Sequence, residues 1–352
     1  MKRYLILIPT LSKGGAEAMA YQYGKYLQKD NLVTFCLAEK VIDQKFSDVN
    51  YFSLDSGNRL FKVIFSAKKV RFHEYDYILS LIPAFTIALL ISRPILYLKI
   101  KNKLIFTIHN PIDRDFLQTK KDYVIKKIYL FLLKRNKNIF SVSKGVQDSL
   151  LKYKLSSSLL YNISKLSKNI VNRESSDINI LMVGRLTYQK GYDRLETFIE
   201  YLENLNFKYN INIYGEGPEK KNLILLKEKY PNKITLNGYC PDIGEIYSNS
   251  KYNCLLLLSR YEGFGLVLLE AISKGIYCIS TNCESGPLEI LSKSNVGSLI
   301  PENFNIHDVK LSINNMFEWN KHDIKYKSEQ CEQVLNFFQT NRDKQWKLLK
   351  RH

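Results

Sequence analysis

Residues 255–271 read LLLLSRYEGFGLVLLEA, and three kinds of chain follow one another in it. The apolar run Leu255 to Leu258 predicts a buried strand. Ser259 to Gly265 predicts a loop, and from Leu266 the pattern predicts a helix. Glu262 then stands in the loop where a strand ends. Glu270 stands about a turn into the helix, on the side facing that loop. Gly263 and Gly265 leave backbone N–H groups bare around Phe264 and Leu266, and a helix start of this kind favours an anion. Two carboxylates bracketing an anion cradle suit a ligand with hydroxyls on both sides of a phosphate, which is the shape of a nucleotide-sugar. By itself the run leaves a plainer alternative open, a surface Glu and a helix-start Glu with no ligand.

Neighbouring stretches repeat the arrangement. Gly184-Arg185-Leu186 follows the apolar strand Ile178 to Val183, with Gln189-Lys190-Gly191 close behind. Arg185 and Lys190 then lie at the carboxyl end of a strand, where open α/β sheets place their ligands. Arginine offers a fork of donors to phosphate and lysine a compact charge. Ile211-Asn212-Ile213-Tyr214 runs into Gly215-Glu216-Gly217-Pro218, and Ser285-Gly286-Pro287-Leu288-Glu289-Ile290 follows the strand Ile276 to Ser280. Four successive strands each end in a special loop. The alternation of strands and helices predicts an α/β fold with parallel sheets.

The chain has 352 residues, 45% of them hydrophobic, enough to bury ample core, and two domains are the natural expectation. The first domain is expected to span 1–164. Residues 165–177, polar and rich in lysine and serine, read as a linker. The second domain is expected over 178–330, and residues 331–352 as an amphipathic C-terminal helix. Six cysteines (Cys36, Cys240, Cys254, Cys278, Cys283, Cys331) form no CxxC pair. They suit a reduced compartment and argue against a zinc site or a disulfide framework. No signal peptide is expected, because the apolar part of MKRYLILIP is too short and runs into a glycine loop. Tyr77 to Ser92, the longest apolar stretch, is broken by Pro83 and falls short of the ~20 residues that span a bilayer. It reads as a strand to Ile82 followed by a helix.

Charge is unevenly distributed. Residues 1–165 hold 28 Lys and Arg against 12 Asp and Glu, a net +16, whereas residues 166–352 hold 24 against 22, a net +2. Basic clusters at Lys99–Lys103, Lys120-Lys121, Lys126-Lys127 and Lys134–Lys137 flank the run Ile128-Tyr129-Leu130-Phe131-Leu132-Leu133. Basic residues beside apolar and aromatic ones suit a helix lying on an anionic membrane. An ordinary helix with lysines on its wet side is the alternative. No nucleic-acid-binding module is visible, so nucleic acid is not expected as a partner.

Taken in order, GRLTYQKG, YGEGP, EGFGLVLLEA and SGPLEI resemble the nucleotide-binding half of the family 4 retaining glycosyltransferases. The first half of the chain is similar to that family as well. It opens with a strand Tyr4 to Ile8, then Gly14-Gly15-Ala16-Glu17, and carries Thr107-Ile108-His109-Asn110 and Ser141-Val142-Ser143 after later strands. The resemblance covers essentially the whole chain. It implies the GT-B architecture, two Rossmann-like domains facing across a cleft, with the last helix crossing back to the first domain. It also implies transfer with retention of anomeric configuration. His109 would line the cleft near the donor sugar. Gly14 and Gly15 would let the first loop approach phosphates or acceptor, or make a plain tight turn.

Sugar transfer from a nucleotide diphosphate leaves negative charge on the departing diphosphate, so donors must be aimed at it in advance. Arg185 and Lys190 are the candidates, with the backbone of Gly263 to Leu266. Glu270 suits the ribose hydroxyls, because a carboxylate accepts two hydrogen bonds side by side. Glu262 would face the donor sugar. Asp113-Arg114-Asp115 matches the DxD pattern of metal-dependent transferases, but it follows His-Asn-Pro rather than an apolar strand. No metal and no further cofactor is expected. CESGPLEIL is similar to a variant found in bacterial polysaccharide transferases, which points to a UDP-linked donor and to Glu289 near the sugar. Tyr239 and Asp242 fall where such enzymes hold the base.

The expected activity is a hexosyltransferase of bacterial O-antigen or capsule synthesis, cytoplasmic and peripheral on the inner face of the membrane, with a lipid-linked saccharide as acceptor. Two alternatives stand beside it. A nucleotide-sugar epimerase would want carboxylates and a histidine placed for proton abstraction. A non-catalytic partner subunit would not need Arg185, Lys190, Glu262 and Glu270 intact.

Overall fold

The computed structural model describes residues 1–12, 15–55, 70–91, 94–115, 120–162, 166, 168–171, 173, 177–249 and 251–350. Gly14 lies outside the described residues, as do the side chains of Asp115, Lys120 and Lys121. The chain divides into two compact units, one of residues 1–164 with 341–352, the other of residues 165–340.

In the first unit the described elements run β1 (Arg3–Ile8), α1 (Gly15–Gln28), β2 (Leu32–Leu37), β3 (Tyr51–Ser53), β4 (Tyr77–Ser80), α2 (Pro83–Ile91), α3 (Pro94–Ile100), β5 (Leu104–Ile108), α4 (Ile112–Asp115), α5 (Lys120–Lys134), β6 (Ile139–Ser141), α6 (Lys144–Leu151) and β7 (Ser158–Leu159). Seven parallel strands stand in the order β3-β2-β1-β4-β5-β6-β7. β5 is buried along its whole length, as a central strand covered on both faces must be. The apolar run at Tyr77 leaves the ladder at Ser80, two residues before Ile82, and Pro83 opens α2.

The chain's last residues are built into this unit. The Trp346 ring packs on Tyr23 and Tyr26 of α1, at centroid distances of 4.9 and 5.2 Å. Its indole N–H donates to the Tyr161 carbonyl at 3.0 Å, and Gln345 Oε1 accepts from the Tyr161 N–H at 2.8 Å. The Tyr4 hydroxyl donates to the Leu349 carbonyl.

The second unit runs β8 (Ile178–Val183), α7 (Leu195–Asn204), β9 (Tyr209–Tyr214), α8 (Lys220–Lys229), β10 (Ile234–Gly238), α9 (Ile243–Ser248), β11 (Cys254–Leu257), α10 (Leu266–Ile272), β12 (Tyr277–Thr281), α11 (Pro287–Leu291), β13 (Gly297–Ile300), α12 (Ile306–Lys321) and most of α13 (Ile324–Trp346). Its six parallel strands stand in the order β10-β9-β8-β11-β12-β13. The order reverses between β8 and β11, and an open α/β sheet has its ligand crevice at the carboxyl ends of such a pair. Leu258 falls just past the end of β11, although it is fully buried, so the apolar run outlasts the ladder by one residue. α12 begins with a complete capping box, Asn305 accepting from the backbone of His307 and Asp308 while Asp308 accepts from Asn305.

The polar stretch 165–177 counts with this second unit rather than standing between the two. Arg173 supplies a reason. It is 2% exposed, and its guanidinium donates to the carbonyls of Asn249, Tyr252, Tyr247 and Lys274 at 2.5–3.1 Å. The Tyr247 carbonyl is in the last turn of α9, and the other three lie just past α9, just before β11 and just past α10. Carbonyls at helix ends have no partner within the helix. All six cysteines are free thiols, and five of them are buried. Among the described residues no helix is long and apolar enough to cross a membrane.

Candidate active site

The site is assembled where β8 and β11 end. After β8 the chain makes a short helical turn over Tyr188–Lys190 and then reaches Gly191 at φ +66°, in the left-handed region. A Cβ at Gly191 would sit 2.0 Å from the Leu258 carbonyl oxygen, so only glycine lets this loop close on the end of β11. Arg260 N–H then donates to the Gln189 carbonyl at 2.8 Å, and Gln189 Nε2 donates to the Tyr261 carbonyl at 3.1 Å. Closure brings Lys190 Nζ to 2.6 Å from Glu262 Oε1. The Ser259 hydroxyl donates to the same oxygen at 2.6 Å. Side-chain exposure is 16% for Lys190 and 7% for Glu262. Burying a carboxylate this deeply is costly unless it is paired and hydrogen-bonded, and here it is both.

Neighbouring loops hold the Glu262 backbone. Its N–H donates to the Glu284 carbonyl, and the Ser285 hydroxyl donates to its carbonyl. Thr281 Oγ1, at the end of β12, donates to the Ser259 carbonyl at 2.6 Å. Gly286 has φ +92°, and a Cβ there would come within 2.4 Å of the Phe264 carbonyl oxygen. Absence of that Cβ lets the loop before α11 lie directly against the loop before α10. On the outer side Arg260 makes a two-pronged pair with Asp193 (2.7 and 2.5 Å) and stacks over the Tyr188 ring at 3.7 Å. Three loops therefore share one hydrogen-bonded scaffold, and preorganised charge is what such a scaffold can offer a reaction.

Arg185 and Glu270 differ from this pair. Arg185 is exposed, and its guanidinium makes no hydrogen bond or ion pair with the described residues. Glu270 is partly buried on α10. Burial raises its carboxyl above the usual value, while Tyr247 and the charge of Lys190 pull it back only in part. The Tyr247 hydroxyl beside it is buried and faces the Glu270 carboxyl, the interaction that opposes the shift. The Glu270 carboxyl thus holds its proton more tightly in the fold than in the unfolded chain. The associated stability is present at low pH and is lost as pH rises through the raised value. Glu270→Gln should therefore melt higher than wild type at pH 8, with the gap shrinking at pH 5. An unchanged gap across this range in calorimetry would remove the burial argument.

Other expected residues have local roles. Asp242 caps α9, accepting from Gly244 N–H at 3.0 Å. Phe264 turns its ring into the core, edge-on to Phe338 at 5.2 Å, so only its backbone is available to a ligand. α10 begins at Leu266 after Gly265, which has φ +91° and offers no side-chain cap. Glu289 is partly buried in the first turn of α11, and Tyr239 is partly buried after β10. Gly15 opens α1 in the first unit, with open space where a Cβ would stand.

His109, also in the first unit, follows β5. Asn162 Nδ2 lies 3.1 Å from its Nδ1, and Thr107 Oγ1 lies 3.0 Å from its Nε2. The Tyr23 hydroxyl donates to Asn162 Oδ1 at 2.6 Å, which orients the Asn162 amide N–H toward the ring. Thr107 donates to the Ser80 carbonyl, so the His109 proton is on Nε2. Burial pushes the ring down to about 4, and it is neutral at physiological pH. Both nitrogens are engaged by the unit's own interior. Proton transfer at either would first have to break one of these bonds.

Asp113 belongs to an internal cluster. Burial would raise its carboxyl, but hydrogen bonds from Lys126 and Tyr153 outweigh that and hold it below the usual value. Among the described residues no group of three His, Cys, Asp or Glu is arranged to hold a metal ion. Sequence reasoning missed Ser259, Gln189, Ser285 and Tyr247. Ser259 had a faint signal in its spacing, three residues before Glu262 in the same loop. Tyr247 had none, because β11 and α10 separate its position in the chain from Glu270.

Residues 164–331 match the family described as glycosyl transferases group 1. Over 319 residues the chain is 26% identical to the amylovoran biosynthesis glycosyltransferase AmsD of Erwinia amylovora, covering 83% of this chain and 84% of that one. Among solved structures it is similar to the lipopolysaccharide outer core galactosyltransferase WaaB in its apo form. That likeness has a TM-score of 0.71 at 18% identity and covers 99% and 100% of the two chains. It is also similar to HepE of Anabaena in complex with UDP-glucose, with a TM-score of 0.73 at 15% identity over the whole of both chains. These structural likenesses show the fold, the two parallel-sheet α/β domains of GT-B glycosyltransferases. The match to the group 1 glycosyl transferases thus falls on the second unit, the part that carries the Lys190–Glu262 pair.

Proposed function

We propose that the protein is a retaining transferase that moves a hexose or N-acetylhexosamine from a nucleotide-diphosphate sugar, UDP-linked, to a lipid-linked saccharide in bacterial surface polysaccharide synthesis. One observation carries the reading: the buried Lys190–Glu262 pair at the strand-order reversal, with unpaired Arg185 on the same loop. The names of the relatives supply the polysaccharide context. The donor proposal draws on neighbours solved with UDP-sugar or UDP.

In this reading Lys190 and Arg185 receive the diphosphate, with the backbone of Gly263 to Leu266. Glu270 accepts from the ribose hydroxyls and Glu262 from the sugar's. The bond between the anomeric carbon and the phosphate oxygen breaks, and the acceptor oxygen forms the new bond on the same face. The acceptor proton passes to the departing diphosphate, whose charge Lys190 and Arg185 stabilise. Charge on the protein takes the part a metal ion plays elsewhere, so turnover should survive EDTA. Loss that Mg²⁺ restores would return Asp113 and Asp115 to the argument. The basic first half would hold the enzyme at an anionic membrane surface, the inner face of the cell membrane, where a lipid-linked acceptor resides.

Ligand-induced thermal shift with UDP, GDP, ADP and their common sugars tests the donor site. A shift with the UDP series that disappears in Glu270→Ala is expected. No shift with any nucleotide would favour a non-catalytic role.

A further inference from the structure

The first unit carries an apolar cleft that the donor chemistry does not use. α2, α3 and α5 enclose about 300 Å³ lined by Ile87, Leu90, Leu98, Ile128, Phe131 and Arg135, among others. Its outer rim is apolar and open to solvent. Of its lining residues Leu98 is 64% exposed and Phe131 49%, and Ile95 (72%) and Val124 (55%) stand outside the lining on the same two helices. Val124, Ile128 and Phe131, then Arg135, recur at helical spacing along one stripe. Tyr129 and Leu133 are buried on the core-facing side, and the buried Leu132 forms part of the cleft wall beside Ile128. The apolar surface of α5 therefore extends beyond the part the fold buries, out to the exposed Phe131 and Val124.

Positive charge is concentrated in the segments that carry the open face. Residues 94–103 and 120–137 together hold ten Lys and Arg and one acid, Asp122. Lys99, Lys127, Lys134 and Arg135 are exposed, and none makes an ion pair among the described residues. The Arg135 guanidinium lies 3.6 Å over the Phe131 ring, which places a fork of donors at the lip of the cleft. Lys127 sits over the exposed Tyr123 ring at 4.5 Å. An apolar slot with cations at its lip complements an acyl chain carrying a phosphate.

We propose that α3 and α5 form the membrane-contact face of the protein, and that the cleft takes an acyl-chain segment of an anionic phospholipid whose phosphate rests on Arg135. The proposal builds on the membrane association argued above and names the surface that makes it. Charge complementarity selects a phospholipid over a protein helix, and the cleft is too small for more than part of one chain.

Vesicle sedimentation of the full chain tests it, with phosphatidylglycerol–phosphatidylcholine vesicles compared with phosphatidylcholine alone. Wild type should pellet with the anionic vesicles, and less so in high salt. Leu98→Glu and Phe131→Glu, both at exposed positions, should keep the wild-type melting temperature and lose about tenfold in binding. In a Phe131→Trp variant, acyl-brominated lipid in the anionic vesicles should quench the introduced indole beyond the quenching of the native tryptophans. Wild type that ignores anionic vesicles would end the membrane reading as a whole. Wild type that binds while both Glu variants bind equally, or an introduced indole that is not quenched, would overturn the cleft alone. Binding to neutral vesicles carrying a polyprenyl phosphate, with none to phosphatidylglycerol, would assign the cleft to an acceptor tail and likewise overturn it.

Discussion

Lys190→Ala should lower kcat by about 10²–10³-fold, the range seen when one preorganised charge or donor is removed from a developing anion. Lys190 Nζ is held 2.6 Å from Glu262, in a loop that only Gly191 allows to close. Its position is set before any ligand arrives, so little reorganisation is needed when charge builds on a diphosphate. A structural ion pair could also produce a damaged variant, and the two explanations separate cleanly. Removing Lys190 leaves Glu262 buried beside Ser259 without a counter-charge, at a cost of about 3–5 kcal/mol. Replacing both members, Lys190→Met with Glu262→Gln, leaves no unpaired buried charge and should recover most of the melting temperature. The turnover of that double variant should stay low. If its rate returns with its stability, the pair is structural and the phosphate assignment is lost.

Arg173→Ala should be among the most destabilising single changes outside the apolar core. Four carbonyls lose a charged donor together, and the two just past the ends of α9 and α10, of Asn249 and Lys274, are left with a long backbone N–H contact of 3.4 Å each. Hydrogen bonds from a charged donor contribute about 1.5–3 kcal/mol each, and buried acceptors left unsatisfied add to the loss. Water entering the space would recover part of it, so a net cost of about 3 kcal/mol is expected. For a unit of this size that corresponds to a fall of roughly 6–12 °C in Tm, read by calorimetry. Burial already holds the Arg173 guanidinium down to about 10. Lysine cannot replace the fork, and Arg173→Lys should recover less than half of the loss. A melting temperature within a degree of wild type for both variants would show that residues 165–177 are dispensable to the second unit.

The sequence by itself determined the punctuation of this protein. Apolar runs marked β8 and β11 to within a residue, because a central strand covered on both faces is largely apolar; β8 departs only at the partly buried Asn179. Glycines and prolines marked the loops that follow, because those backbone conformations admit few other residues. Lys190, Glu262 and Glu270 stood out for the same local reason, as charges at strand ends and helix starts. Only the tertiary structure decided which of these groups meet. Lys190 and Glu262 lie 72 positions apart, and they pair because the strand order sets β8 beside β11. The same long-range packing drew a stretch that reads as a polar linker into the second unit through Arg173. It also closed both nitrogens of His109 onto Thr107 and Asn162, and tied Asp113 of the DxD triplet to Lys126 and Tyr153. Local pattern tells which face of an element is buried, but a buried charge is defined by the partner that packing brings to it, and that partner is distant in the chain.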